Sequence, residues 1–550
     1  MLRSVWRNLG SLRRASGWQY LVAAAWIGML LAIYLRAVCP PTDGDPLSYH
    51  ITVAIRYLNA HRFVYLPTLT YTNWPVGEQM LFALLLGLHR ESPVAIVQFL
   101  FGILGFGVVY LFGRRLGGPF TGTLAVVLLM AYDNYLTQMC MAYIDVGLTT
   151  FTLLATYALY RSLSFAAPDR NSSASDAAPK PEIREPDPER NSSEQSRWQM
   201  LAAIFAGLAV TTKLTGLWTI ASLLALSLLI YRRTGYKPIL PSLLKFAVVA
   251  GLVATPWFIK TWVLTGNPIY PMLYRVFGGA EWTPEGLNKF TFGHMIWNTP
   301  PGMQPTPQVL FYSHLFNCVV GGALCLIVLW RTRRSEVAIP VGMAALFTFC
   351  ICFANYFHPR FLMPIIPLAC VGIAYMFRFR EKWLALPAGA VAVLLTLSLN
   401  ARLQPHLTAA WPVATGQISR QDYLRAKMPD YPVTEYANAH IPSNTRILIG
   451  TYANNLAYYD AEALWPEWWE QDSIHYETQE RLEADLRRLG VDYLVLDPTF
   501  PDWCDRSHSC RERKEREPQA LEELVRRRGE KLFEARGHTL YRLVWTKPHP

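Results

Sequence analysis

A handful of ionisable side chains in this 550-residue chain stand where apolar runs begin or end. Asp45 lies in Thr42-Asp43-Gly44-Asp45-Pro46-Leu47-Ser48-Tyr49-His50, just past one such run, and Asp145 opens another in Ile144-Asp145-Val146-Gly147. Lys213, Lys260 and Arg360 occupy the ends of three more. A carboxylate of fixed orientation is what general-base chemistry on a hydroxyl needs, and cations beside it suit a departing phosphate. Plainer readings stand next to these. Asp45 also reads as a helix cap with Pro46 at the first helical position, Asp145 as an interfacial acid, and Lys213 as a side chain that snorkels to water. Asp43 and Asp45 have DxD spacing, whose hard oxygens suit a divalent cation, although two acids in one turn are common. No Walker loop, GxGxxG followed by an acid, HExxH or GxSxG elbow occurs, so nucleotide hydrolysis, hydride transfer, zinc proteolysis and serine hydrolysis lack support.

The elements that must position these groups are read from composition. Hydrophobic residues make up 52% of the chain and charged ones only 17%, which points to a membrane protein. A mean hydropathy of +0.16 is low for spans alone, so a water-exposed part is also expected. Arg3, Arg7, Arg13 and Arg14 precede an apolar run over 20–35, which reads as an uncleaved anchor with a cytoplasmic N-terminus. Further runs fall near 93–113, 119–139, 145–161, 199–212, 215–231, 239–259, 311–330, 337–355, 361–377 and 384–400, giving about eleven predicted spans. The split of 199–231 into a hairpin at Thr211 to Thr215 follows because a single helix would overshoot the bilayer. Arg114 and Arg115, Arg232 and Arg233, Arg331 with Arg333 and Arg334, and Arg378 with Arg380 and Lys382 then share the cytoplasmic side. Much of the net charge of +11 is therefore an orientation signal, and nucleic-acid binding is not implied.

This parity places Asp45, Asp145, Lys213, Lys260 and Arg360 on the opposite, external face, where orientation explains no surplus of cations. An anionic lipid is the natural ligand. The external loop 38–92 is expected to carry an amphipathic interfacial helix, with Ile51, Ala54, Ile55 and Leu58 on one face and Thr52, Arg56 and Asn59 on the other. Residues 76–88 are apolar but too short to span, and read as a re-entrant or surface helix. The stretch 162–198 reads as a disordered cytoplasmic loop, which leaves the sequons at Asn171 and Asn191 on the unglycosylated side. The division expected is a transmembrane region, 1–400, followed by a small extracytoplasmic α/β domain, 401–550. Strands at 446–449 and 491–496 flank a helix marked by Leu482, Leu486 and Leu489 and closed by Gly490. A helix around Leu521, Leu524 and Val525 and a terminal hairpin through 539–544 complete it. The nine cysteines show no CxxC spacing, and a Cys504–Cys510 disulfide is open in an oxidising compartment.

These features together resemble the GT-C class of integral-membrane glycosyltransferases, specifically the family 39 bacterial relatives of protein O-mannosyltransferases and lipid A aminoarabinose transferases. The carriers are Asp45-x-x-x-Tyr49, Trp74-Pro75-x-x-Glu78, Gly113-Arg114-Arg115-Leu116-Gly117, Asp145, Gly207-Leu208-Ala209-x-x-Thr212-Lys213, Pro256-Trp257, the 265–271 motif, and Arg360 with Pro364 and Pro367. The resemblance implies a GT-C fold, with Asp45 as catalytic carboxylate and Asp145 as a second acid near acceptor or sugar. Lys213 and Arg360 would face a donor phosphate. Asp43, Tyr49, Glu78 and Lys260 join them as candidate substrate- or phosphate-binding residues, and no metal-ligand set is assigned. Pro46 replaces an acid that often follows the first Asp, and Trp74 stands where the aminoarabinose transferases carry Lys, which counts against aminoarabinose as the sugar. Nucleotide sugars are cytoplasmic whereas these groups are external, so a polyprenyl-phosphate-linked sugar is the expected donor and an extracytoplasmic hydroxyl on a lipid, glycan or protein the acceptor. The expected setting is a bacterial inner membrane. A transporter or flippase of an anionic (glyco)lipid is the alternative, using the same cations without bond cleavage.

Overall fold

In the computed structural model the described residues are 16–166, 188–234, 239–284, 307–332, 337–354, 359–450, 455–465, 474–497 and 508–545. Long apolar helices dominate the first three-quarters of the chain. They are α1 Gly17–Ala37, α4 Ile96–Met130, α6 Asp145–Ala166, α7 Pro188–Thr212, α8 Gly216–Thr234, α9 Ile239–Thr265, α11 Pro307–Thr332, α12 Ala338–Ala354, α13 Ile366–Met376 and α14 Glu381–Ala414. Between them lie the shorter α2 Ile51–Ala60, α3 Gln79–Leu88, α5 Asp133–Gln138 and α10 Tyr274–Phe277. Among the described residues four helices are long and apolar enough to cross a membrane: those at Gly17–Ala37, Ile96–Met130, Leu240–Thr265 and Glu381–Gln404.

Helix ends follow local chemistry. α4 is interrupted at Gly117 and Gly118, where Pro119 opens its second half, at the expected basic junction. The expected break in 199–231 falls between Thr212 and Gly216, where the Lys213 and Gly216 amides close the turn onto Ala209 and Lys213 carbonyls at 3.2 and 2.8 Å. A Cβ on Gly216 would collide with the Ala209 carbonyl, so the close approach that fixes this turn requires glycine. Helix reaches into both ends of the stretch expected to be loop. α6 continues to Ala166 and α7 begins at Pro188, with Ser162 Oγ donating to the Gln195 carbonyl at 3.1 Å. Asn171 lies outside the described residues, as does Cys504. Thr396 Oγ1 donates to the Ala25 carbonyl at 3.0 Å and ties α14 to α1.

The C-terminal part contains α15 Arg420–Lys427, α16 Tyr431–His440, α17 Gln479–Arg488 and α18 His508–Arg528 around strands β1 Arg446–Gly450, β2 Glu462–Leu464, β3 Val491–Leu496, β4 Gly529–Ala535 and β5 His538–Leu543. The sheet order is β2-β1-β3-β5-β4, parallel through β3 and antiparallel beyond it. The strands, the helix before Gly490 and the terminal hairpin occur where periodicity places them. The three-residue β2 was not foreseen.

Two features cross the expected division at 400/401. α14 runs unbroken through residue 401 to Ala414. One apolar cluster joins Val53, Tyr57, Leu66, Leu69 and Val76 of the 38–92 loop to Val433, Ile447, Ile449, Leu456, Val495 and Leu540. Much of the face of α2 expected to be polar is covered by protein: Thr52 is buried and Arg56 Nη2 donates to the Ala461 carbonyl at 2.9 Å, while Asn59 is exposed as expected. α2 is thus a largely buried helix beside the sheet, since Thr52 Oγ1 finds the Leu47 carbonyl at 2.6 Å and Arg56 a distant one. α3, ten residues long, is as short as predicted.

Candidate active site at the start of the sixth helix

Asp45 immediately precedes a π-helical turn, Pro46–His50, that leads into α2. Pro46 takes the first position, as the capping reading requires, but the Asp45 carboxylate makes no capping bond. It instead accepts from Arg360 Nη1 at 2.5 Å. Arg360 comes from the 3-10 turn Pro359–Ile365, and its Nε stands 3.6 Å from Asp145 Oδ2. Lys213, in the turn between α7 and α8, donates to Asp145 Oδ1 at 2.7 Å, so it does not snorkel to water. Two acids and two cations therefore alternate in space, each from a different chain segment. Such closure is expected where charge is buried, because an unpaired ion there is costly and a paired one is tolerated.

Aromatic rings line the cations. Phe361 lies 4.8 Å from Lys213 Nζ and 5.7 Å from Arg360 Cζ, and Tyr143 lies 5.3 Å from Arg360 Cζ. The two acids differ in access: the Asp45 side chain keeps 34% of its surface exposed and that of Asp145 only 2%. Asp45 is the carboxylate a substrate can reach. Burial acts to raise its pKa, but the charge and hydrogen bond of Arg360 outweigh this, helped by His50 and the Tyr49 hydroxyl, and hold it below the usual carboxylate range. It is an ionised acceptor at neutral pH. His50 is buried, its Nδ1 3.0 Å from Gln79 Nε2, and burial pushes its pKa down to about 3. It is a neutral imidazole.

The remaining sequence candidates go elsewhere. Asp43 turns back to Arg36 at the end of α1, 3.4 Å away. Glu78 is buried with Gln98, whose Nε2 donates to Glu78 Oε1 and whose Oε1 accepts from the Gly147 amide at 3.3 Å. Burial is the main force raising the Glu78 pKa well above its ordinary value, with Asp145 adding to it against the Gln98 bond. Its Oε2 makes no hydrogen bond and abuts Gly147, where any Cβ would overlap it. Lys260 binds no acid: its Nζ donates to the Thr72 and Trp74 carbonyls at 3.1 and 2.9 Å, with the Tyr57 ring 5.8 Å away.

The DxD reading does not fit this geometry. A divalent cation needs carboxylates that converge, whereas Asp43 and Asp45 each face a different guanidinium. Among the described residues no group of three His, Cys, Asp or Glu is placed to hold a metal ion. Sequence reasoning missed His50, Tyr143 and Phe361. The last two lie within two residues of Asp145 and Arg360, and that adjacency was the only signal available.

The fold has solved counterparts. Over 96% of this chain and 98% of the other, it superposes on ArnT from Cupriavidus metallidurans bound to undecaprenyl phosphate, with a TM-score of 0.56 and 13% identity. The archaeal oligosaccharyltransferase AglB from Archaeoglobus fulgidus, in complex with an inhibitory peptide and a dolichol-phosphate, matches with a TM-score of 0.51 and 13% identity, over 95% of this chain and 74% of the other. At such identities the likeness is one of fold. That fold is the GT-C architecture of integral-membrane glycosyltransferases. Residues 78–170 match the profile of the dolichyl-phosphate-mannose-protein mannosyltransferase family, and residues 188–292 match a domain of unknown function, DUF8201. No curated protein sequence matches. The chain thus has a GT-C-like fold, its residues 78–170 are similar to that mannosyltransferase family, and its long apolar helices support an integral membrane protein.

Proposed function

We propose that this protein transfers a sugar, hexosyl or pentosyl, from a polyprenyl-phosphate carrier to an extracytoplasmic hydroxyl on a lipid, glycan or protein. The observation that carries the reading is the Asp45, Arg360, Asp145 and Lys213 cluster, a reachable carboxylate beside two cations on one GT-C fold. Two anions already neutralise the two cations. A donor phosphate competes for Arg360 and Lys213, and as it draws Arg360 away Asp45 is left as a free base. Asp45 takes the acceptor's hydroxyl proton, the acceptor oxygen bonds to the anomeric carbon, and the bond from that carbon to the phosphate oxygen breaks. The lipid phosphate leaves with the electron pair, its growing charge stabilised by Arg360 and Lys213. Asp145 holds both cations in place.

In this reading about eleven helices cross a bacterial inner membrane, with the N-terminus inside and the C-terminal sheet outside. The test is purified protein incubated with a panel of polyprenyl-phosphate sugars and scored for sugar release or transfer. Release by the wild type and its loss in Asp45→Asn support the reading. Full activity in Asp45→Asn removes the base assignment, and binding without release favours a transporter.

A further inference from the structure

Three aromatic rings lead away from the Asp45 carboxylate. The Tyr49 hydroxyl hydrogen-bonds Asp45, the Tyr49 ring lies 5.1 Å from that of Tyr71, and Tyr71 meets Trp74 edge-to-face at 4.8 Å and 81°. Their exposure sets them apart from their neighbours. Within 46–52 every residue but Tyr49 is buried, and within 70–76 every residue but Tyr71 and Trp74 is buried. The backbone beneath them is fastened from one side: Lys260 holds the Thr72 and Trp74 carbonyls at 3.1 and 2.9 Å, and Thr261 Oγ1 donates to the Asn73 carbonyl at 2.8 Å. Behind them Tyr270 and Trp282 form a small buried cluster against which Tyr71 and Trp74 pack. A cation held entirely by backbone carbonyls, spent on one short turn, makes structural sense if the rings on that turn must keep a fixed position.

We infer that Tyr49, Tyr71 and Trp74 form the subsite for the donor's sugar ring. Rigid aromatic faces suit the C–H face of a pyranose, and a few polar atoms at one end fix its orientation, which is how small-molecule sites reconcile affinity with selectivity. Tyr49 supplies that polar end and places the ring next to the base. Lys260 is a positioning residue that acts through the turn. The inference rests on the glycosyl-transfer reading, and it commits the ladder to the sugar rather than to the prenyl chain.

The test compares two probes on the full-length protein in nanodiscs: a polyprenyl-phosphate sugar, chosen as the tightest binder from a hexose and pentose panel, and the same polyprenyl phosphate without sugar. The wild type binds the sugar-bearing probe more tightly. Trp74→Ala weakens that probe about tenfold while the plain carrier stays within about twofold, and Trp74→Phe, which keeps a flat ring, retains the preference. Should Trp74→Ala lose its thermal transition, Tyr71→Leu carries the same expectation. Lys260→Met lowers the preference without touching the ladder itself. Equal weakening of both probes assigns the rings to the prenyl chain and overturns the proposal, as does no weakening in either. A wild type that shows the preference yet releases no sugar removes the transfer reading and leaves the subsite standing.

Discussion

Two carboxyl groups meet at the start of α6 and are treated in opposite ways. Asp145 faces Lys213 and Arg360, whereas Glu78, against Gly147 two residues further on, faces the Gln98 amide and, among the described residues, no cation. The first is an ion held by ions. The second is pushed by burial toward its neutral form, with the Gln98 amide as its hydrogen-bond partner. Proximity to a site therefore says little about a carboxyl group's part in it, and the partner supplied by the fold decides.

The contrast breaks first at its reachable end. Asp45→Asn is expected to lower transfer by roughly 10²- to 10⁴-fold with the protein still folded, as measured by sugar release from the donor panel. Asp145→Asn removes the only acid paired with Lys213 in the cluster, and a thermal or denaturant melt should show a loss of about 3–5 kcal/mol. Gly147→Ala forces a methyl group against the buried Glu78 carboxyl and is expected to cost about 1–3 kcal/mol in the same melt. Glu78→Gln replaces an acid already pushed toward its neutral form by a near-isostere and should change stability by less than about 1.5 kcal/mol and leave transfer within a few-fold. A large loss in Glu78→Gln would show that its charge is used, and the distinction between the two carboxyl groups would fall.

pH sharpens the same comparison. The folded pKa of Asp45 lies below its unfolded value, so its pairing with Arg360 stabilises the protein above the ordinary carboxylate range and is lost as pH falls through the folded value. The rate of transfer is expected to hold steady from pH 7 down to about 5. A fall with a midpoint near 6.5 would point to a histidine, which His50, pushed to about 3, does not supply.

Much of the cluster was legible because membrane proteins place charge sparingly. Asp45, Asp145, Lys213 and Arg360 each interrupt an apolar pattern, and the structure brings these four together. Asp43 and Lys260 interrupt it too, yet one neutralises Arg36 and the other grips two carbonyls, because sequence shows where a charge lies along the chain and not which group it meets. Tyr143 and Phe361 carry no mark that separates a ring beside a cation from a ring in a core. Helix positions followed from length and hydropathy, and the strands at 446–450 and 491–496 from short apolar runs. The amphipathic pattern of α2 misled because Thr52 and Arg56 find protein where water or headgroups were expected.

The apolar cluster shared by the 38–92 loop and the C-terminal sheet limits what can be exchanged between this protein and its structural relatives. A chimera that imports the sheet alone would set a foreign surface on Val53, Tyr57 and Leu69, all of which lie in the same loop as Asp45. The sheet and the loop that carries Asp45 are thereby inherited together, and a change in one of the two surfaces must be matched in the other.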